Sequence, residues 1–132
     1  MLLSGLPEQV SGDEELARFV KESNKRNTLG AKPGAFMPPQ NARTSVARHG
    51  STPLADLTEL AALYLPGCHV YGAAILSAAT VRRNGLDAIP DEPPIRHANI
   101  VGWPADADAE MEKAARLAKA QACASASSWV EF

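Results

Sequence analysis

The chain has 132 residues, of which 45% are hydrophobic and 21% are charged, as in an ordinary globular protein. This length predicts a single domain over residues 1–132 that buries a core without disulfide or metal staples. A formal net charge of -2 excludes a general attraction to nucleic acid or to an anionic membrane. No apolar run approaches the roughly 18 residues that a membrane span requires, so we expect no membrane partner.

The amino-terminal segment and the cysteines favour a cytoplasmic location. The first residues lack the basic n-region of a secretory signal. Cys68 and Cys123 are too few for a disulfide framework and show no CxxC spacing. Cys68 and His69 would face opposite sides of a strand, so they cannot hold one metal together. The sequence predicts neither a metal site nor a cofactor.

The first predicted element is a helix over about residues 12–24. Ser11 to Glu14 has the Ser-x-x-Glu form of a capping box. Apolar residues then recur at helical spacing, at Leu16, Phe19 and Val20. A loop over about residues 24–34 follows, and its basic side chains suit a phosphate backbone or simple solvent exposure: Lys25, Arg26 and Lys32.

Short strands and helices are predicted through the middle of the chain. Residues 43–49 mix β-branched and small side chains, which favours a strand. Gly50 then permits a turn, Ser51 or Thr52 can cap a helix, and Pro53 suits its first position. This helix is expected to end near Leu65. The next elements are predicted as a strand over 68–73, a helix capped by Ser77 and ending at Arg83, and strands over 86–89 and 96–103.

A carboxy-terminal helix is predicted over about residues 106–124. Acidic residues come early and basic residues late, which matches the helix dipole. A thin apolar stripe is formed by Met111, Ala115, Ala118 and Ala122. We expect this stripe to face the core or a protein partner, including a second copy of the chain. The last residues, 125–132, suit a final edge strand.

The order of these elements predicts an α+β fold, with a short, mostly antiparallel sheet and three to four helices. A small three-layer α/β arrangement is the alternative.

The stretch RHGST, Arg48 to Thr52, resembles the phosphate-accepting motif of the histidine phosphatases. The resemblance implies that His49 is the nucleophile and Arg48 a phosphate clamp, with a second histidine such as His97 nearby. In that family the motif ends the first strand, whereas 47 residues precede Arg48 here. Turn and capping chemistry also accounts for the positions after His49.

The stretch RHANIVGW, residues 96–103, carries the second candidate site. Alternation along a strand places Ala98 and Ile100 on one face. The opposite face then carries His97, Asn99, Val101 and Trp103. Asparagine is depleted in strands, so this face predicts either a polar pocket or side chains that satisfy loop backbone groups.

The two stretches could share one site if their strands are neighbours. On the strand over 43–49, one face carries Arg43, Ser45, Ala47 and His49, and the other carries Thr44, Val46 and Arg48. His49 and His97 would then face a common cleft with Arg43 or Arg48 nearby. Two histidines and an arginine are the groups needed for acid and base chemistry on a phosphoester or another anion.

The RH and HANIVGWP stretches also resemble those of a group of small bacterial proteins of similar length, over roughly residues 35–124. The resemblance implies that both stretches belong to one site, but it implies no reaction.

Three functions follow from the sequence. The leading hypothesis is a binding or interaction protein whose polar face of His97, Asn99, Trp103 and arginines contacts a partner or a small anionic ligand. The alternative is an enzyme of phosphoester or phosphoryl-transfer chemistry with His49 and His97 as catalytic residues. The third hypothesis, not favoured, is a nucleic-acid binder that uses the basic loop.

Overall fold

The computed structural model describes residues 2–27, 29–49 and 54–132, and the side chains of residues 54 and 55 are not among the parts described. The strands are β1 (Glu15–Val20), β2 (Arg26–Asn27), β3 (Gly30–Ala31), β4 (Thr44–Arg48), β5 (Gly72–Ser77), β6 (Asp87–Pro90), β7 (His97–Val101) and β8 (Ser128–Glu131). The α-helices are α1 (Leu54–Tyr64), α2 (Ala78–Arg83) and α3 (Ala109–Ala126). Two short 3-10 helices cover Ser23–Lys25 and Pro33–Ala35.

Six of the strands form one sheet in the order β6-β7-β4-β1-β5-β8, and each pairing between neighbours is antiparallel. β2 and β3 form a separate hairpin. β4 and β5 are both antiparallel to β1, so they run parallel to each other, and α1 makes the crossover between them. The predicted α+β fold with a mostly antiparallel sheet is confirmed.

Helices cover both faces of the sheet. The face that packs against α2 and α3, called the α3 face below, buries Leu16, Val20, Val46, Ala74, Leu76, Ala88, Ala98 and Ile100. The face that packs against α1, called the α1 face below, buries Ala17, Phe19, Ala47, Ala73 and Ile75. From α1 itself, Leu57, Leu60 and Ala61 close this second cluster.

The predicted helix over residues 12–24 is wrong, because the central strand β1, Glu15–Val20, occupies the middle of this segment. A central strand is buried on both sides, so its apolar residues form a near-continuous run that resembles a helical pattern. Ser11 and Glu14 do not form a capping box. The Glu14 amide instead closes a turn on the Ser11 carbonyl, 3.1 Å away, and the Glu14 carboxylate binds Arg48.

The predicted basic loop over residues 24–34 contains more regular structure than expected. Its described part holds the end of one 3-10 helix, the β2–β3 hairpin and the start of the next 3-10 helix. Arg26 lies 4.7 Å from the centre of the Tyr71 ring and 3.6 Å from the Glu131 carboxylate. These contacts hold the hairpin against the rest of the chain.

The carboxy-terminal helix is confirmed, with a shift of two to three residues at each end. The Asp108 side chain accepts from the amides of Glu110 and Met111 and so caps α3. The face of α3 that packs on the sheet carries Ala120, Cys123 and Ala124. The predicted apolar stripe does not face the core, because Met111 is 62% exposed and Ala115 and Ala118 are also exposed.

Several shorter predictions are confirmed. The strands predicted over 43–49, 86–89 and 96–103 correspond to β4, β6 and β7. Ser77 caps α2 by accepting from the Thr80 amide at 3.1 Å. The strand expected over 68–73 begins four residues later, as β5. The cap expected at Ser51 or Thr52 lies outside the described residues. Within the described part of the chain, no helix has the length and apolar character needed to cross a bilayer.

Candidate functional site

β4 and β7 are neighbours in the sheet, as the shared-site hypothesis required, and their pairing brings Ser45 to His97. The register pairs Ser45 with Asn99 and Ala47 with His97, so all four side chains lie on the α1 face. Ser45 and His97 are diagonal neighbours in this register. The Ser45 Oγ lies 2.7 Å from His97 Nε2, which is a short hydrogen bond between a hydroxyl and an imidazole.

The second ring nitrogen of His97 determines which way this hydrogen bond runs. His97 Nδ1 lies 2.7 Å from the main-chain carbonyl oxygen of Asp91, and a carbonyl can only accept. The hydrogen of the neutral ring therefore belongs on Nδ1. Nε2 is then an acceptor, and the Ser45 hydroxyl donates to it. This is the arrangement in which an imidazole can remove a proton from a serine.

Asp91 is held in place from two sides. The Asn99 side-chain amide donates to its carboxylate at 2.8 Å, and the Asp91 amide donates to the His97 carbonyl at 2.9 Å. The Asp91 carboxylate also lies 3.8 Å from His97 Nδ1. Asn99, which the sequence marked as a ligand-binding residue, is buried in the structure and fixes the loop that orients His97.

Tyr64, at the end of α1, supports the other side of the His97 ring. The two ring centres are 5.6 Å apart at an angle of 66°. The Tyr64 hydroxyl donates to the carbonyl of Ile95 at 2.8 Å, two residues before His97. Burial raises the pKa of Tyr64 strongly, and the Glu92 carboxylate adds to this, so the hydroxyl keeps its hydrogen as a donor. The His97 ring is thus fixed by hydrogen bonds and by packing.

Ser45 lines a small open cavity, together with Arg18, Phe19, Tyr64 and Leu65. The cavity lies where β1 and β4 separate, since the two strands pair only at Leu16 with Arg48 and Ala17 with Ala47. The Ser45 side chain is half-buried, so its hydroxyl is not sealed in the core.

The Arg18 guanidinium fills the gap between the separated strands. Its Nε donates to the Ala35 carbonyl at 2.8 Å and its Nη1 donates to the Ser45 carbonyl at 2.9 Å. These bonds replace ladder hydrogen bonds that the strands do not make here. Burial lowers the pKa of Arg18, and the Glu22 carboxylate opposes this shift. An arginine stays protonated under these conditions, so a positive charge lies beside the main chain of Ser45.

The other site residues predicted from the sequence lie in surroundings that differ from those of the Ser45–His97 pair. Arg43 is exposed. Arg48 is fully buried and donates to Glu14 and to the Pro7 carbonyl. Trp103 is not on the His97 face as predicted: it packs in the α3-face cluster and donates to the Ile100 carbonyl at 3.0 Å. The strand ends at Val101, and Gly102, with a φ of 89°, turns the chain, so the alternation stops there.

His49 lies beside Glu15, with 3.6 Å between its Nε2 and the carboxylate. It lines another open cavity with Glu15, Ser77 and Thr80. Burial lowers the pKa of His49, while Glu15 raises it and Arg96 lowers it further. The ring is thus favoured in its neutral form.

Four residues of the site were missed from the sequence: Ser45, Asp91, Tyr64 and Arg18. Alternation places Ser45 on the same face of its strand as His49. In the observed register Ser45 and His49 lie on either side of Ala47, the residue opposite His97, so the strand pattern alone does not identify Ser45 as the partner of the His97 ring. No local pattern marks Tyr64 or Arg18, whose roles depend on packing between distant segments.

Within the described residues, no group of three or more histidine, cysteine, aspartate or glutamate side chains is arranged to hold a metal ion. Comparison of the chain with protein-family models, with curated proteins and with solved structures found no match.

Proposed function

We propose that the protein hydrolyses small esters or thioesters through a covalent acyl intermediate on Ser45. The observation that carries this proposal is the pair of 2.7 Å contacts of His97, one with the Ser45 hydroxyl and one with the Asp91 carbonyl. A serine becomes nucleophilic near neutral pH when a base beside it takes the proton and a third group orients that base. In this chain the orienting group is a main-chain carbonyl, with the Asp91 carboxylate close to the same nitrogen.

The reaction proceeds in two halves. The Ser45 oxygen attacks the carbonyl carbon of the ester while its proton moves to His97 Nε2. The tetrahedral intermediate then breaks its bond to the leaving oxygen or sulfur, which takes the proton from His97, and an acyl-Ser45 ester remains. Water attacks this ester, His97 again accepts the proton, and return of that proton to Ser45 releases the carboxylic acid. The Asp91 carbonyl and carboxylate stabilise the imidazolium formed in each half.

The phosphoryl-transfer alternative receives less support from the geometry. That chemistry needs an arginine to hold the phosphate oxygens, and the RHGST resemblance assigned this part to Arg48. Arg48 instead has no exposed surface, and its Nε, Nη1 and Nη2 each donate to groups of the protein. We therefore prefer acyl chemistry at Ser45 over phosphoryl chemistry at His49.

Binding of a small anion without turnover is the second candidate, and the charge of Arg18 beside the cavity favours it. This candidate retains the small anionic ligand of the leading hypothesis from the sequence, but the binding arginine is Arg18 in place of Arg43 and Arg48.

We also infer a cytoplasmic location, because Cys68 and Cys123 are both free thiols.

A fluorophosphonate probe tests the acyl proposal, since it phosphonylates serines whose hydroxyl is activated by a base. We expect the intact protein to gain the mass of one probe near pH 8, and we expect Ser45→Ala to gain none. Ser125→Ala, which removes an exposed serine of α3, serves as the control and should be labelled like the wild type. His97→Gln should slow labelling by about a hundredfold or more, because the base is lost.

The same variants should be tested for hydrolysis of p-nitrophenyl acetate, with circular dichroism to show that each is folded. The proposal is wrong if folded Ser45→Ala is labelled or hydrolyses the ester as fast as the wild type. It is also wrong if the wild type shows neither labelling nor hydrolysis above the rate in buffer.

A further inference from the structure

The cavity beside Ser45 adjoins a second cavity near the end of β1. Arg18, Phe19 and Leu65 line both of them. The second cavity is also lined by Val20, Lys21, Glu22, Lys25, Gly34 and Ala35. The two adjoining cavities are together called the Arg18 cleft below, and Ser45 lines one of them while the lysines line the other.

Arg18 has hydrogen-bonding capacity left for a ligand. Nε and Nη1 donate to the carbonyls of Ala35 and Ser45, and the structure shows no acceptor for Nη2 among the described residues. A guanidinium fixed at two of its nitrogens keeps a defined direction for the third, which reduces the entropy lost when an anion binds.

Lys25 places a second positive charge on the wall of the cleft. A Cβ at position 34 would lie 3.1 Å from Lys25 Nζ and 3.1 Å from its Cδ, so Gly34 leaves the space through which this side chain extends. The Lys25 main chain is fixed as well, since its amide donates to the Glu22 carbonyl and its carbonyl accepts from the Lys32 amide. Lys25 is half-buried, whereas Lys21 on the same wall is exposed.

The charges around the cleft favour an anion. Arg18, Lys21 and Lys25 contribute positive charge, and Glu22 is the one acidic residue among those that line the two cavities. Between the charged end and Ser45 lie Phe19 and Leu65, which suit a short apolar chain.

We propose that the Arg18 cleft binds acyl groups that carry a carboxylate at their far end, held by Arg18 and Lys25 with the ester carbonyl at Ser45. The substrate class is thus a monoester or monothioester of a short dicarboxylic acid. The acyl chain of the substrate must be short, because the Arg18 guanidinium donates a hydrogen bond to the main-chain carbonyl of Ser45 itself. This substrate class rests on the proposed hydrolase function. Binding of the carboxylate in the cleft can nevertheless be measured without turnover.

The kinetic test compares mono-p-nitrophenyl glutarate with p-nitrophenyl butyrate, which is similar in size but has no carboxylate. We expect kcat/KM for the anionic ester to exceed that for the neutral ester by about tenfold, the gain that one favourable charge pair of roughly 1.4 kcal/mol provides. Lys25→Gln should lower this ratio several-fold, mainly through KM. Lys113→Gln removes an exposed lysine of α3, and it should leave the ratio unchanged.

The binding test adds glutarate itself to Ser45→Ala and follows backbone amide shifts by NMR. We expect saturable shifts around Arg18 and Lys25 that weaken at high salt and weaken in the Lys25→Gln background. Butyramide, which has no charge, should cause smaller shifts.

The outcomes separate this inference from the proposed function. If the two esters are hydrolysed equally well and both reactions require Ser45, the dicarboxylate substrate class is wrong and the hydrolase function is supported. Glutarate binding that depends on Lys25, without Ser45-dependent hydrolysis, would support the anion site and reject the hydrolase. Neither binding nor hydrolysis would reject both.

Discussion

Arg48 and Glu14 form a bidentate ion pair inside the protein, with Nε 2.6 Å from one carboxylate oxygen and Nη2 2.8 Å from the other. The Arg48 side chain has no exposed surface and that of Glu14 is 14% exposed. The remaining nitrogen, Nη1, donates to the Pro7 carbonyl at 2.7 Å. Arg48 thereby connects β4 to the segment that precedes β1, and the arginine of the RHGST stretch acts within the fold.

We predict that Arg48→Met destabilises the protein by about 3–5 kcal/mol, because it leaves the largely buried Glu14 carboxylate without its partner. Urea denaturation followed by circular dichroism measures the change. The double variant Arg48→Met with Glu14→Met should recover part of the loss, since it removes both charges. A loss below about 1 kcal/mol in the single variant would contradict a structural role for this pair.

The fold was predictable where local signals agreed with the tertiary structure. α3 is one case: Asp108 caps it, and acidic and basic side chains follow in the order that the helix dipole favours. β7 is another, because its apolar residues alternate. The prediction over β1 was wrong because a strand that is covered on both faces has no alternation of apolar and polar residues. In addition, the role of Glu14 depends on its ion pair with Arg48, 34 positions away.

The candidate site was predictable only in part, for the same reason. His97 and Asn99 stand out in the sequence because polar residues are unusual within a strand. Ser45 is an ordinary serine until the register of β4 against β7 is known. Trp103 was assigned to the wrong face because Gly102 ends the alternation, which a strand pattern alone does not show.

The two cysteines should differ sharply in reactivity. Cys123 is fully buried on α3 and Cys68 is exposed. Burial raises the pKa of the Cys123 thiol from 9.0 to about 11, although Lys119 opposes the shift. We predict that Ellman's reagent at pH 8 modifies one thiol of the native protein and two in denaturant. Cys68→Ser should abolish the native reaction, and rapid modification of Cys123 would show that α3 is not packed as described.

The raised pKa of Cys123 also predicts how stability depends on pH. The unfolded thiol loses its proton above about pH 9, while the folded thiol keeps it until about pH 11. The unfolded state therefore binds fewer protons in this window, and stability falls as the pH rises through it. Cys123→Ala should show a smaller fall between pH 8 and pH 10.5 than the wild type. Parallel stability curves for the two proteins would contradict this assignment.

The exposed face of α3 gives the last prediction, with Ala118 and Ala120 as a matched pair. Ala118 is exposed, whereas Ala120 is fully buried against the sheet. Ala118→Glu should cost only a few tenths of a kcal/mol, because glutamate is a good helix former and its charge stays in water. Ala120→Glu should be severely destabilised, since its carboxylate would enter the core. Thermal unfolding measures both effects.

Size-exclusion chromatography of Ala118→Glu tests the proposal that α3 binds a second copy of the chain. Met111 and Leu117 are 62% and 43% exposed on this helix, and a partner that covered them would have to bury the charge of a glutamate at position 118. If self-association uses this face, the wild type elutes as an assembly and Ala118→Glu elutes as a smaller species that is still folded, with a melting temperature lowered by the loss of the assembly. If both elute alike as monomers, α3 is a solvated helix and its apolar stripe serves no self-association.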